Sequence, residues 1–321
     1  MHAHPGRCFL AGMGDDELLP QLLGGDGSSI ALDAARSAGL TAVSFATVAD
    51  LLVLAPRADG GLHAGRPFEP GEAHTDHQRQ LAGLRRLLDT TRAPLARTAA
   101  DLEAAHAVGD TAVLITCEGG DFLEGDVDRL AETYVQGMSS LTLLHYRVNE
   151  IGDIQTDPDV HGGLTPFGAD VVRECNRLGV VIDCAHATLA TTLGVLDESS
   201  QPVMISHSHL DHADRSHPRL LSDDHALAVT GAGGLIGAWP SGVTSATLED
   251  FIDEIVRLVE LVGVGHVAIG TDLDANFQPV VTEHAQLADV AAQLGDRGMN
   301  DAEVDLVLGG NVVALYRAVA G

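Results

Sequence analysis

Apolar, β-branched runs of five to eight residues recur along the chain, separated by stretches in which apolar residues return every three or four positions. The runs are 41–48 (TAVSFATV), 112–117 (AVLITC), 140–144 (SLTLL), 180–184 (VVIDC), 202–206 (PVMIS), 234–239 (GLIGAW) and 267–271 (VAIGT). They are continuous rather than alternating, which predicts strands buried on both faces, as in a parallel sheet covered by helices. Helical periodicity occupies 76–88, 128–137, 167–178 and 248–262 between them. Seven strands with crossover helices, and an eighth at the N-terminus, predict an α/β protein of the closed (β/α)8 TIM-barrel type. The rival architecture, a doubly wound open sheet, lacks its Gly-x-Gly-x-x-Gly after an early strand. The Gly- and Pro-rich stretch 55–73 reads as a long loop, and nothing marks an internal linker, so residues 1–321 are expected to form one barrel domain.

Chemically active side chains fall at the C-terminal ends of these runs, the face on which a barrel assembles its site. Glu118 follows AVLITC, His145 follows SLTLL, His186 lies two residues beyond VVIDC, His207 follows PVMIS and Asp272 follows VAIGT. Any one of these could be satisfied by local hydrogen bonds. Five strand ends each delivering a His, Glu or Asp to one mouth point to a site. His2 and His4 form a His-x-His pair, and residues two apart on a strand share a face, so both imidazoles can reach one metal ion. Together with Glu118, His186 and His207 they give five N/O ligands. That set suits two ions sharing a bridging carboxylate better than one, the arrangement of metal-assisted hydrolysis.

Other conspicuous residues have simpler readings. His209, His212, His217 and His225 lie beyond a strand end and are expected to be solvated or to stand behind the ligands, with His209 the one nearest the chemistry. His74 and His77 open a helix and are expected at the surface. Cys117 and Cys184 sit in apolar runs and read as core. Ser206 and Ser208 lack the Gly-x-Ser-x-Gly elbow of a serine nucleophile.

Composition narrows the partners. The 321 residues carry 46 acidic against 18 basic side chains, a formal net charge of −28, and every basic residue is Arg. Such a surface repels phosphate backbones, so nucleic acid is not an expected partner, and it is self-repulsive at low ionic strength. No apolar run approaches the length of a membrane span and the N-terminus has no signal-peptide pattern, so a cytoplasmic protein without a membrane partner is expected. Four scattered cysteines without a Cys-x-x-Cys pair read as reduced thiols. A homodimer is compatible with all of this.

Several segments carry a resemblance to a known family: CEGG (117–120), LTLLHYRVNEIGD (141–153), GLTPFGADVVRECNRLGVVIDCAHA (163–187), ISHSH (205–209), HPRLLSDD (217–224), GTDLD (270–274) and LGGNVVALYR (308–317). In order and spacing the chain resembles the membrane (renal) dipeptidase family of zinc peptidases, peptidase family M19, within the amidohydrolase-like barrels. The resemblance implies two Zn2+ per chain and hydrolysis of dipeptides by a metal-bridging hydroxide. It implies that Glu118 bridges the ions, that His186 and His207 bind the second, and that His145 steadies the tetrahedral intermediate. It further implies that Arg219 grips the substrate's terminal carboxylate and that Asp272 handles the proton of the bridging water. The sequence departs from the family at His4, where an Asp is usual, at the single residue before His2, and at Ala275, where the family has Gly. The poorly matching stretch 51–73 leaves another small amide, lactam or cyclic amide as the alternative substrate. A barrel without catalysis, acting as a binding protein, is less compatible with the retention of His145, Arg219 and Asp272.

Overall fold

The computed structural model describes residues 1–321 except Asp15, Asp59 and Asp214. All seven apolar runs form strands of one sheet: β1 (Ala42–Val48), β2 (Ala112–Glu118), β3 (Met138–Thr142), β4 (Val181–Asp183), β5 (Met204–Ser208), β6 (Leu235–Ala238) and β7 (Val267–Ile269). Each pairs in parallel with the next in sequence, so the sheet curls through β1 to β7 without a strand out of order. Every residue of β2 to β7 is buried, as expected for strands with side chains in the barrel on one face and under helices on the other.

The seam between β7 and β1 is closed by the first residues of the chain. The ammonium of Met1 donates to the carbonyl of Ile269 at 2.7 Å, and the amide of Asp272 donates to the carbonyl of His2 at 3.0 Å. The amide of His4 donates to Leu273 at 2.9 Å, while the amide of Ala46 in β1 donates to the carbonyl of Ala3 at 3.0 Å. Residues 1–4 thus occupy the eighth position of the barrel although they are too few and too irregular to register as a strand. Gly237 and Gly270 make the neighbouring wall tight. A methyl at either would lie 1.9 Å or 1.7 Å from the carbonyl oxygen of Ser206, so no larger residue fits.

The helices follow their sequence signals. Leu248–Val262 begins with a capping box from Thr247 and Asp250 and buries Phe251, Ile252, Ile255 and Leu258 along one stripe. Pro166–Leu178 is capped by Thr165, with Pro at its first position, and ends at Gly179 with φ 72°. Among the described residues no helix is long and apolar enough to cross a membrane.

Two expectations are corrected. The stretch 55–73 is not a plain loop: Leu54–Pro56 pairs antiparallel with Leu62–Ala64 in a short ribbon before the helix Glu72–Thr91. His77 in that helix is buried, not at the surface. Its ring stacks on Phe122 at 3.9 Å, because this turn of the helix packs on the β2 end of the barrel. Cys8, Cys117, Cys175 and Cys184 are buried and unpaired.

The buried histidines give the fold a pH dependence. Burial, with His74 nearby, lowers the pKa of His77 to about 3, and burial lowers that of His225 to about 4. An unfolded histidine titrates near 6.5. Below that pH the unfolded chain takes up protons that these two folded sites refuse, so stability falls as pH drops from about 6.5 toward 4. Each contributes a slope of about 1.4 kcal/mol per pH unit. Asp121 opposes them: burial and the charge of Asp50 raise it to about 6, so the folded state takes up one proton in the same range. The net expectation is a lower urea midpoint at pH 5 than at pH 7, with a shallower decline in His77→Leu. Equal declines in the two proteins would show that His77 is charged in the folded state.

Candidate metal centre

The strand ends bring the predicted residues to one place. Glu118 closes β2, His207 is the penultimate residue of β5, and His186 lies three residues past β4. His145 lies three residues beyond β3, which ends two residues earlier than the apolar run suggests, and Asp272 three beyond β7. His186 and Asp272 hold backbone φ of 69° and 51°, a conformation uncommon for residues other than glycine and concentrated at functional sites. His2, His4, Glu118, His186 and His207 are all 3% exposed or less.

Their donor atoms form two overlapping groups. The Nε2 atoms of His2 and His4 are 3.1 Å apart, as are those of His186 and His207. Glu118 lies between the pairs, its carboxylate oxygens 3.3 Å and 3.1 Å from His2 and His4 and 3.3 Å and 3.6 Å from His186 and His207. His2, His4 and Glu118 form one set that could hold a metal ion; Glu118, His186 and His207 form a second. One carboxylate against four imidazoles has a reason to exist if cations complete the cluster.

The groups behind the ligands fix which nitrogen points inward. His4 Nδ1 is 3.0 Å from the carbonyl oxygen of Ala46, which can only accept, so Nδ1 carries a proton and Nε2 faces Glu118. Ser206 Oγ donates to Asp183 Oδ2 at 2.6 Å and has no second proton to give. It must therefore accept from His207 Nδ1 at 2.9 Å, which leaves the lone pair of His207 on Nε2. Asp183 is itself held by Thr142 Oγ1 at 2.6 Å and by the amides of Ala185 and Ser206. A histidine whose outer nitrogen is committed to an acceptor is a ready metal ligand through the inner one. The donor set fits a pair of divalent ions that accept imidazole and carboxylate, zinc among them.

Electrostatics separate the histidines. Burial together with Arg219 pushes His186 well below its ordinary pKa, and burial together with His2 and Arg219 does the same to His207, so both stay neutral. Burial opposes charge at His4 too, yet hydrogen bonds to Cys8 and Glu118 and the charges of Glu118 and Asp272 hold it well above the ordinary range. A proton and a cation therefore compete for His4. Burial works against ionised Glu118, but His145 and His2 keep its carboxyl well below the usual range.

Four residues of the site are not evident in the sequence. Asp50, fully buried, accepts from His145 Nδ1 at 2.6 Å with one oxygen and from the amide of Tyr146 at 3.0 Å with the other. Burial resists a charge on His145, but Asp50 and Glu118 raise its pKa, which favours a proton on the Nε2 that faces Glu118 at 3.4 Å. Asp50 stands two residues beyond β1, at a strand end like the other site residues. Asp183 breaks an otherwise apolar strand, a second legible signal. Gln155 and Trp239 give none.

Arg219 is 2% exposed. Its Nη1 donates to Gln155 Oε1 at 2.7 Å, and its Cζ lies 5.6 Å from the centre of the Trp239 ring, whereas Nε and Nη2 have no hydrogen-bond partner among the described residues. Of the remaining histidines, His209 and His225 are buried rather than solvated, and His212 lies 2.5 Å from Glu254. Ser206 and Ser208 spend their hydroxyls on Asp183 and on the carbonyl of Arg219.

Comparison with known proteins agrees with this architecture. An amidohydrolase of Pseudomonas aeruginosa superposes over 90% of this chain and 92% of its own, with a TM-score of 0.76 at 21% identity. A metallopeptidase of Rhodobacter sphaeroides, solved with a phosphinate mimic of the dipeptide L-Ala-D-Ala, covers 90% and 89% with a TM-score of 0.78 at 22% identity. At these identities the likeness is one of fold. In sequence, dipeptidase verJ of Clonostachys rogersoniana is 30% identical over 236 residues and dipeptidase aclJ of Aspergillus oryzae 30% over 218. Those matches cover 70% and 65% of this chain and 60% and 51% of the relatives, so the chain spans little more than half their length. The family description "Membrane dipeptidase (Peptidase family M19)" matches residues 59–321, a span that excludes His2, His4 and Asp50 but includes Glu118, His145, His186, His207, Arg219 and Asp272. The chain therefore belongs to the membrane dipeptidase family, peptidase family M19.

Proposed function

We propose that this chain is a dinuclear zinc dipeptidase. The observation that carries the reading is the unpaired edge of Arg219. A buried guanidinium normally has its N–H groups satisfied. Here the unsatisfied pair, Nε–H and Nη2–H, is the planar fork that matches a carboxylate with two parallel hydrogen bonds. A substrate with a free carboxylate completes it. In a dipeptide that carboxylate is only a few bonds from the amide, so gripping one end at Arg219 presents the other to the histidine cluster. The Trp239 ring, 5.6 Å from Arg219, is also 5.9 Å from the ring of His207. The relatives' names as dipeptidases support the same substrate class.

His2, His4 and Glu118 would hold one ion, and Glu118, His186 and His207 the other. When bound, two such ions lower the pKa of water and polarise a carbonyl. The chain's own groups do the rest. His145, protonated and oriented by Asp50, donates from Nε2 to the oxygen that gains charge as the carbonyl becomes tetrahedral. Asp272 takes the proton of the attacking water and returns it to the departing amine. Arg219 holds the carboxylate away from the bond that breaks.

The test compares a small dipeptide such as alanyl-alanine with its C-terminal amide. Arg219→Met should raise KM for the free acid by about 10- to 100-fold, the range for a lost hydrogen bond to a charged group, and change the amide little. Equal losses on both substrates would show that no terminal carboxylate is recognised, and the site would then belong to a hydrolase of another small amide, lactam or cyclic amide.

A further inference from the structure

Trp239 touches three groups of the site at once. It follows β6 directly and is 4% exposed. Its indole Nε1–H donates to Asp272 Oδ2 at 3.3 Å. The same ring faces the guanidinium of Arg219 at 5.6 Å and meets the ring of His207 edge-on at 5.9 Å. Its own backbone amide donates to His209 Nε2 at 3.2 Å, and His209 packs against Phe251 of the helix Leu248–Val262. That bond holds the main chain at Trp239, while the indole itself is held by its N–H bond to Asp272 and its contacts with Arg219 and His207.

We propose that Trp239 is the positioning residue that couples the proton-handling carboxylate to the carboxylate-gripping guanidinium. The inference rests on the dipeptidase reading above for the roles of Asp272 and Arg219. The Asp272 carboxylate has two distinguishable oxygens. Oδ2 is committed to the indole N–H, and Oδ1 is left 3.5 Å from His4 Nε2 and 3.9 Å from His2 Nε2, on the side of the ligand cluster. An indole can only donate, so it fixes the carboxylate's rotation without competing for a proton. The ring face meanwhile offers Arg219 a cation–π contact, with Cζ 5.6 Å from the ring centre, while its Nε and Nη2 stay open. One side chain thus sets the separation between the substrate's anchored carboxylate and the carboxylate that serves its amide. That separation favours substrates of one fixed length.

Two variants separate the two contacts. Trp239→Phe keeps an aromatic ring, though a smaller one, against Arg219 and removes the N–H. It should lower kcat on a dipeptide about tenfold while KM stays within about twofold, as for loss of one hydrogen bond to a charged group. Trp239→Leu removes the ring as well and should raise KM for the free-acid dipeptide in addition. A Trp239→Phe enzyme with unchanged kcat would overturn the proposal. Because Trp239 is the only tryptophan of the chain, its fluorescence supplies a readout that needs no turnover. Emission of the folded, metal-loaded protein should change in Asp272→Asn and in Arg219→Met, each of which removes one of its partners. Emission identical to the parent in both variants would overturn the proposal even if the parent hydrolyses dipeptides. A parent without dipeptidase activity whose emission responds to both substitutions would keep the coupling and overturn the substrate instead.

Discussion

Glu118→Gln is expected to lose both metal ions, not one. Among the described residues the carboxylate is the only anion shared by the two ligand sets, with oxygens between 3.1 Å and 3.6 Å from four imidazole nitrogens. The cluster holds it ionised despite complete burial, through His145 and His2 above all. An amide there supplies one neutral oxygen and turns an NH2 group toward nitrogens that also need to face a cation. Four imidazoles then confront one another with no negative charge among them except Asp272 on one flank. Loss of a partner that merely supports a ligand costs about 10- to 100-fold in metal affinity or activity. Loss of a bridge should exceed the upper end of that range. Elemental analysis of purified protein is the direct measurement: about two zinc ions per chain in the parent and well below one in the variant. A variant that keeps both ions at parental occupancy would remove Glu118 from the bridging position.

The sequence made the barrel legible because burial on both faces leaves a mark that needs no tertiary information. A strand such as 112–117 can be uniformly apolar only if neither face meets water. Helix limits were equally plain where a cap and an amphipathic stripe coincide, as in Leu248–Val262. The site residues were legible for a related reason. A polar side chain at the end of an apolar run stands out, and parallel strands send all their ends to one face. What stayed hidden depends on contacts between distant segments. The N-terminal segment is expected as the eighth strand, but that four irregular residues suffice rests on hydrogen bonds to Ala46 on one side and to residues beyond position 268 on the other, which no local pattern records. His77 looks like a polar residue in a polar helical turn, yet Phe122 supplies a ring for it to stack on. Asp50, after Ala49, stands at a strand end like the other site residues but also reads as an ordinary loop start, and its part becomes plain from His145 2.6 Å away. Trp239 reads as the apolar end of a strand, and its indole N–H acquires meaning from Asp272, 33 positions later.

Asp272→Asn should lower kcat on dipeptides by on the order of 10² or more, the usual loss for a removed general acid–base, while the metal content stays at the parental value. The orientation of the side chain makes the expectation strict. Trp239 Nε1–H lies 3.3 Å from Oδ2 and requires an oxygen there. An asparagine must turn its carbonyl oxygen to the indole and its NH2 to the side occupied by Oδ1, 3.5 Å from His4. A proton acceptor is thereby replaced by a donor at the one atom that faces the cluster, with almost no change in volume and with the backbone still at φ 51°. Asp272 also has the property that the role demands. Burial, with the charge of Glu118, raises its pKa, although His4 and His2 pull the other way, so it accepts a proton more readily than an exposed carboxylate. Metal content decides between the two ways the variant could fail. Lost activity with both ions retained assigns Asp272 to proton transfer. Lost activity accompanied by lost metal would make it a ligand of the ion beside His2 and His4, and the proton would then have to travel by another group.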